Sequence, residues 1–241
     1  MPVNRYYLDK LFNRDSTVEL EGKEYHHLSH VMRASQGERI DLVNGRGQLA
    51  KACILKLDKR RAHLQVEEVI SKDQPSFEII LAQALPRTNR LHTIIEKGTE
   101  LGMSQLWLFP GELSERKSFA SQGKERLKAV AISAMKQCGR LFLPKIVINP
   151  PLCSWKTLDY VAFFGDIDPI ASPFSLQGKD VFSSLGVIFF IGPESGFTEK
   201  EIAWLKKSKV RGVKLHENIL RTDTAPLVAL SLIHNLLMLR N

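Results

Sequence analysis

Apolar residues occupy alternate positions in RAHLQVEEVI, residues 61–70, where Ala62, Leu64 and Val66 are separated by polar neighbours. That is the period of a strand with one buried face. Two further runs, RIDLVN and QLAKACILKL, flank Gly45-Arg46-Gly47, whose glycines suit a hairpin turn with positive φ. A short helix is expected from Glu24 to about Arg33, with Leu28, Val31 and Met32 at helical spacing. Residues 1–70 thus read as a small β-rich domain, and SKDQPS, residues 71–76, as a linker.

From residue 77 the pattern changes. FEIILAQA, QLWLFP, KIVINPP, VAFFGD, GVIFFIG and GVKLHE are short apolar runs with turn residues behind them. Between them lie helical stretches from about Asn89 to Leu101, ended by Gly102, and from about Gln122 to Cys138. Continuous apolar strands separated by helices predict an α/β fold with a parallel sheet covered on both faces, over residues 77–241. A final helix is expected from about Thr222 to Leu239. Leu227, Val228, Leu230, Leu232, Ile233, Leu236 and Leu237 surround most of its circumference, so it belongs in a core or an interface.

Composition narrows the class without naming it. With 241 residues, 44% of them hydrophobic and 25% charged, the chain is neither disordered nor fibrous. Its 34 Lys and Arg outnumber 26 Asp and Glu, a net charge of +8 that favours an anionic partner, nucleic acid ahead of a membrane surface. The excess is densest over residues 115–145 and 200–221, where solvated helix faces are the competing explanation. Cys53, Cys138 and Cys153 are scattered, with no zinc or disulfide spacing. The charged start MPVNRYYLDKLF is no signal peptide, and Ala225–Leu239 is too short and polar to span a bilayer. A soluble, cytoplasmic protein with no membrane partner is expected.

Two loops stand out as candidate chemistry. There is no GxGxxG and no P-loop. Behind the strand GVIFFI come Gly192-Pro193-Glu194-Ser195-Gly196-Phe197, and Thr198 with Glu201 forms a capping box for the next helix. Behind the last strand comes Leu215 to Ala225, where Thr222 or Asp223 could cap the final helix. Arg221 beside that helix start opposes the macrodipole, which suggests an anion or carboxylate partner. Either loop could equally be a plain turn or carry a surface arginine. His26, His27 and His30 share a short helix with no further ligand close in sequence, so no metal is expected. Glu96 and Glu100 suit pairing with Lys97 or Arg90.

IGPESGFTEKE followed by LHENILRTDTA resembles the two signature loops of the SPOUT methyltransferases, and more narrowly the branch that methylates N3 of a uridine in 16S ribosomal RNA. HHLSHVMR with the GxG hairpin resembles that family's N-terminal PUA-like domain. LAQALPRTNRLHTIIEKGTELG, SERKS and QCGRLFLP are similar to its core blocks, in order from about Arg5 to the C-terminal helix. The resemblance implies a PUA-like β-barrel over residues 1–70, a SPOUT domain tied in a deep trefoil knot over 77–241, and a homodimer. It implies S-adenosylmethionine as cofactor, held by Phe164, Gly165, Ile191, Gly192, Pro193, Glu194, Ser195, Gly196, Leu215, His216, Asn218, Ile219, Leu220 and Ala225. It implies 16S rRNA, on the small ribosomal subunit, as substrate. Arg221, Glu194 and Asp223 become the catalytic candidates, for electrostatic stabilisation, for base or loop fixing, and as an alternative base. Arg5, Arg33, Arg87, Arg90, Arg116, Lys117, Lys136 and Arg140 become the RNA contacts. Ser195, Asp223 and His216 stand where the family usually has Gly, Glu and Gly. Another RNA such as tRNA, or a non-catalytic ribosome-assembly role, is the alternative.

Overall fold

Alternating burial lays out the first sheet. In β2 (Thr17–Glu21), β3 (Arg39–Val43), β4 (Gln48–Leu57) and β5 (Arg61–Ser71), Val18 and Leu20, Ile40 and Leu42, Ala50, Ala52 and Ile54, and Ala62, Leu64 and Val66 turn to one core. With β1 (Arg5–Tyr7) they form a five-stranded sheet in the order β1-β3-β4-β5-β2. β1 runs parallel to β3, and the other neighbours are antiparallel. The computed structural model describes residues 4–118, 121–156, 158–177, 181 and 184–239.

Helix α1 (Gly22–His26) continues as one wide turn over His27–Val31, with Tyr25 and Leu28 buried. The Met32 amide reaches back five residues to the His27 carbonyl at 2.9 Å. That widening turns the chain outward after Leu28. Val31 and Met32, expected inward from their spacing, are therefore 59% and 42% exposed.

Two compact units divide the chain: Met1–Gln74 with Ile132–Leu143, and Pro75–Ala131 with Pro144–Asn241. In the first, Met135 and Leu141 pack on Val43. The Gly47 amide donates to the Leu141 carbonyl and the Leu143 amide to the Gly45 carbonyl, both at 2.9 Å. Gly47, at φ 98°, has no room for a side chain: a Cβ would lie 2.5 Å from the Lys72 carbonyl oxygen and 2.6 Å from the Phe142 ring. Glycine is required there both by the left-handed backbone and by the close approach.

The second unit holds six parallel strands in the order β11-β9-β10-β6-β7-β8. They are β6 (Glu78–Ala84), β7 (Gln105–Phe109), β8 (Lys145–Ile148), β9 (Val161–Gly165), β10 (Gly186–Ile191) and β11 (Arg211–Val213). Ile80, Ala82, Ala84, Phe164, Ile188 and Phe190 form one face of the sheet and pack with Leu205 of α5 (Glu199–Lys207). Phe163 and Phe189 point the other way, against Phe174 of α4 (Phe174–Gln177). Helix α6 (Ala225–Met238) packs on α2 (Thr88–Glu100), β6 and β10. Helix α3 spans Ser121–Cys138.

This is the expected α/β class, and no helix among the described residues is long and apolar enough to cross a membrane. The strand order decides where a site can form. From β6 the chain steps outward through β7 and β8, then returns to build β9, β10 and β11 on the other side. The reversal falls between β6 and β10, and open parallel sheets bind ligands beyond the carboxyl ends of strands at such a point.

Candidate functional site

Gln83 sits at the carboxyl end of β6 opposite Ile191 of β10, polar and fully buried in an otherwise apolar strand. Its side-chain amide donates to the Ala84 carbonyl at 3.0 Å, the Gly192 carbonyl at 3.3 Å and the Thr222 hydroxyl at 3.1 Å. Thr222 in turn donates to Gly192 at 2.8 Å. The two loops singled out in the sequence therefore meet on one buried amide. Thr222 was expected as a possible cap for α6, but its hydroxyl is spent on this junction. The helix starts from Thr224, with neither Thr222 nor Asp223 capping it through a side chain.

A second tie is ionic. Glu194 accepts the Arg87 amide at 3.2 Å and lies 3.6 Å from Arg90 Nε, while Asp223 lies 4.0 Å from Arg90 Nη1. Arg90, Glu194 and Asp223 are all largely buried, at 23, 20 and 27% side-chain exposure. Glu194 thus sits at the N-terminus of α2, where its charge complements the helix dipole. Asp223 Oδ1 and Gln83 Oε1 are both buried with no hydrogen-bond partner. Unfilled acceptors of this kind suit a ligand that brings donors or positive charge.

The glycine loop is held from behind. Thr198 and Glu201 form the expected capping box, the Thr198 amide reaching Glu201 Oε2 at 2.9 Å and the Glu201 amide reaching the Thr198 hydroxyl at 3.2 Å. The other oxygen of Glu201 takes the Glu112 amide at 3.0 Å. The Thr198 hydroxyl and Lys200 hold the Glu112 carboxyl below the usual carboxylate range. A Cβ on Gly192 would come within 3.2 Å of the Gly196 carbonyl carbon, a tight contact that the backbone at Gly196 and Phe197 would have to yield to admit.

Of the cofactor candidates, Gly165, Ile191 and Leu215 converge: a Cβ on Gly165 would touch Ile191 Cδ1 at 3.7 Å and Leu215 Cδ1 at 3.8 Å. Pro193 is buried, Gly196 and Leu220 are half-buried, and Ala225 opens α6. Phe164 is 1% exposed and packs on Phe197, so only its backbone could face a ligand. Ser195, Asn218 and Ile219 are exposed. His216 is exposed too, and its Nδ1 accepts the Asn218 amide at 3.0 Å, closing a small turn within its own loop. Arg221 is exposed, its carbonyl taking the amides of Thr224 and Ala225 at 2.9 Å each.

Most of the basic candidates have internal partners. Arg5 is 9% exposed beside Asp41, and Lys136 is paired with Glu24 at 2.7 Å in the first unit. Arg87 makes a two-pronged contact with Glu115, which holds that carboxyl below its ordinary range. Arg116 donates to Thr88 at 3.1 Å, and Lys117 donates to the carbonyls of Gly111 and Glu112. Burial lowers the Arg140 guanidinium from its ordinary value. For Arg33 no ion pair or hydrogen bond exists among the described residues. Gln83 and Thr222 as the ties between the two loops are not evident from the sequence. The one signal for Gln83 is an amide inside the apolar run FEIILAQA. No group of three or more His, Cys, Asp or Glu among the described residues could hold a metal ion.

A family model described as an RNA methyltransferase domain matches residues 72–234, and one described as an RNA methyltransferase PUA domain matches residues 20–67. The ribosomal RNA small subunit methyltransferase E of Bacillus subtilis is 30% identical, with 96% of each chain covered. Its namesake from Synechocystis is 29% identical over 92% of this chain and 74% of that one. The crystal structure of a ribosomal RNA small subunit methyltransferase E from Neisseria gonorrhoeae bound to S-adenosyl methionine superposes with a TM-score of 0.85, at 28% identity and with 98% of both chains covered.

Proposed function

We propose, from the premise that this chain belongs to the RNA methyltransferase domain family, that it transfers a methyl group from S-adenosylmethionine to small-subunit ribosomal RNA. The observation that carries the reading is the junction of two loops on Gln83 at the topological switch point, where Thr222 and Gly192 meet beside two unfilled acceptor oxygens. Gly165, Ile191, Gly192 and Leu215 would hold the cofactor, which supplies an activated methyl group when bound. The deep knot and the cytoplasm as the place of action are part of the same reading.

The finer target is N3 of a uridine in 16S rRNA. That nitrogen carries a weakly acidic proton, which must leave for the nitrogen to attack. Arg221, exposed at the rim, stabilises the negative charge that develops on the uracil ring. Asp223, ion-paired with Arg90 at 4.0 Å, offers an oxygen with no hydrogen-bond partner for the proton, while Glu194, already held by Arg87 and Arg90, fixes the glycine loop. Holding donor and nitrogen in line contributes much of the rate. A homodimer is supported by the half-buried Leu227, Val228 and Leu232 of α6, which with Leu101 and Ser231 line a groove of about 370 Å³.

The test is methyl transfer from labelled S-adenosylmethionine to small subunits lacking the modification, with naked 16S RNA and tRNA alongside. N3-methyluridine in the subunits is expected. Label in tRNA alone would move the substrate. Absence of both label and cofactor binding would leave an assembly role in place of the enzyme.

A further inference from the structure

Between Gly22 and Gly37 the chain carries Lys23, His26, His27, His30 and Arg33 against a single carboxylate, Glu24. The inner side of this segment is fastened within the first unit. Glu24 accepts the Tyr7 amide at 3.1 Å and Lys136 at 2.7 Å, Tyr25 donates its hydroxyl to the Asp58 carbonyl, and Leu28 is fully buried. The sole acid of the segment is therefore neutralised on the inside.

The outer side is bare. His26 and His30, four residues apart and so one above the other on the helix, stack with ring centroids 4.7 Å apart and planes within 7°. Both are exposed, as is His27. Ser29 Oγ lies 2.7 Å from His30 Nδ1 and fixes that ring's orientation. Val31 and Met32 add an apolar fringe, and Arg33 stands beyond them at φ 53°, in the left-handed region. A non-glycine residue pays for that conformation only where its surroundings impose it.

Flat rings, an apolar margin and two cations, Lys23 and Arg33, with no ion pair among the described residues together match one kind of occupant. Single-stranded RNA offers π-faces that stack on aromatic side chains and phosphates that pair with cations. We infer that the His26–His30 stack is a platform for an unpaired RNA base, with Arg33 and Lys23 on the adjoining phosphates. The inference rests on the RNA methyltransferase reading above and adds to it the residues and the strandedness of the contact.

The experiment is fluorescence anisotropy of the full-length protein with a short labelled single-stranded RNA of mixed sequence, and with the same RNA annealed into a duplex. Replacing both rings, in the double variant His26→Ala and His30→Ala, is expected to weaken single-strand binding by about tenfold while leaving the salt dependence unchanged. Duplex binding should change little. His26→Phe in place of alanine should restore most of the affinity, which a merely folded-state effect would not predict. Arg33→Ala should lower the salt slope by about one. Unchanged affinity in the double variant, equal loss on duplex, or failure of phenylalanine to rescue would each overturn the platform. So would loss of binding to a ribosomal protein with RNA affinity intact. Cofactor binding and wild-type methyl transfer, measured in parallel, report on the parent reading separately: a platform that fails in an active enzyme leaves that reading standing.

Discussion

Thr222 and Gly192, thirty residues apart in sequence, share a 2.8 Å hydrogen bond in which the threonine hydroxyl donates to the glycine carbonyl. The same hydroxyl accepts from Gln83, so one buried oxygen ties the two loops to each other and to the end of β6. Thr222→Val keeps the shape and removes the oxygen, leaving the Gly192 carbonyl only its longer 3.3 Å bond from Gln83 and taking one acceptor from the Gln83 amide. Stability is expected to fall by about 1–3 kcal/mol, with cofactor affinity falling as well, whereas Thr222→Ser retains both. Urea unfolding and calorimetric titration measure the two. Wild-type values for Thr222→Val would mean the junction is incidental.

Arg90 is the only cation within 4.0 Å of both Glu194 and Asp223 among the described residues. Arg90→Ala leaves two carboxylates facing each other without it. A loss of about tenfold in kcat/KM, equivalent to about 1.4 kcal/mol, is expected. The larger share should appear in the KM for cofactor, and Arg90→Lys should recover part of it. Steady-state kinetics against cofactor concentration decides. A loss confined to RNA affinity would return Arg90 to the RNA surface.

Tyr6 is fully buried, and its hydroxyl has no hydrogen-bond partner. Tyr6→Phe should therefore stabilise the protein at neutral pH, by up to about 1–2 kcal/mol. Burial, then the charges of Glu24 and Glu38, push the Tyr6 hydroxyl from 10.0 up to about 12. Burial and then Asp9 do the same for Tyr7. Because the folded values lie above the unfolded one, the fold favours the protonated form. That stabilisation is complete below pH 10 and is lost as the pH rises towards 12. Tyrosinate absorbance followed together with circular dichroism should show ionisation coupled to unfolding in that window, and Tyr6→Phe should weaken the coupling.

Two glycines with positive φ separate strain from crowding. Gly37, at φ 88°, has nothing within 4 Å of a would-be Cβ, whereas Gly47 meets Lys72 and Phe142 at 2.5 and 2.6 Å. Gly37→Ala should cost about 1 kcal/mol. Gly47→Ala should cost about 2–4 kcal/mol or more, since backbone strain and a backbone clash add. Thermal melts of the two variants side by side test the ranking, and equal costs would contradict it.

Leu232→Glu places a charge in the groove on α6 without touching the loop junction. The wild-type protein is expected to sediment as a dimer and this variant as a monomer with reduced methyl transfer. A monomeric wild type with full activity would remove the second copy from the mechanism.

Features that rest on local chemistry were legible in the sequence. Strand β10 is an unbroken apolar run and is buried at every position. The Thr198–Glu201 box forms as its spacing implies, and the GxG hairpin carries the positive φ its glycines permit. Features set by residues distant in sequence were not. Thr222 is by type a good helix cap, yet a buried carbonyl thirty positions away claims its hydroxyl. Lys136 and Arg5 look like surface cations until Glu24 and Asp41 are brought beside them. Val31 and Met32 fit a regular helix, and only the wide turn at His27 sends them outward.

The insertion of Ile132–Leu143 into the first unit has a consequence for biosynthesis. A nascent chain ordinarily folds its leading domain while the rest is still being made. Here the leading sheet is translated early, but the residues that cover Val43 and pair with Gly45 and Gly47 follow only after residues 75–131 have emerged. The contacts that complete the amino-terminal unit can therefore form only after residues 75–131 have been synthesised, and a fragment ending at the linker lacks them.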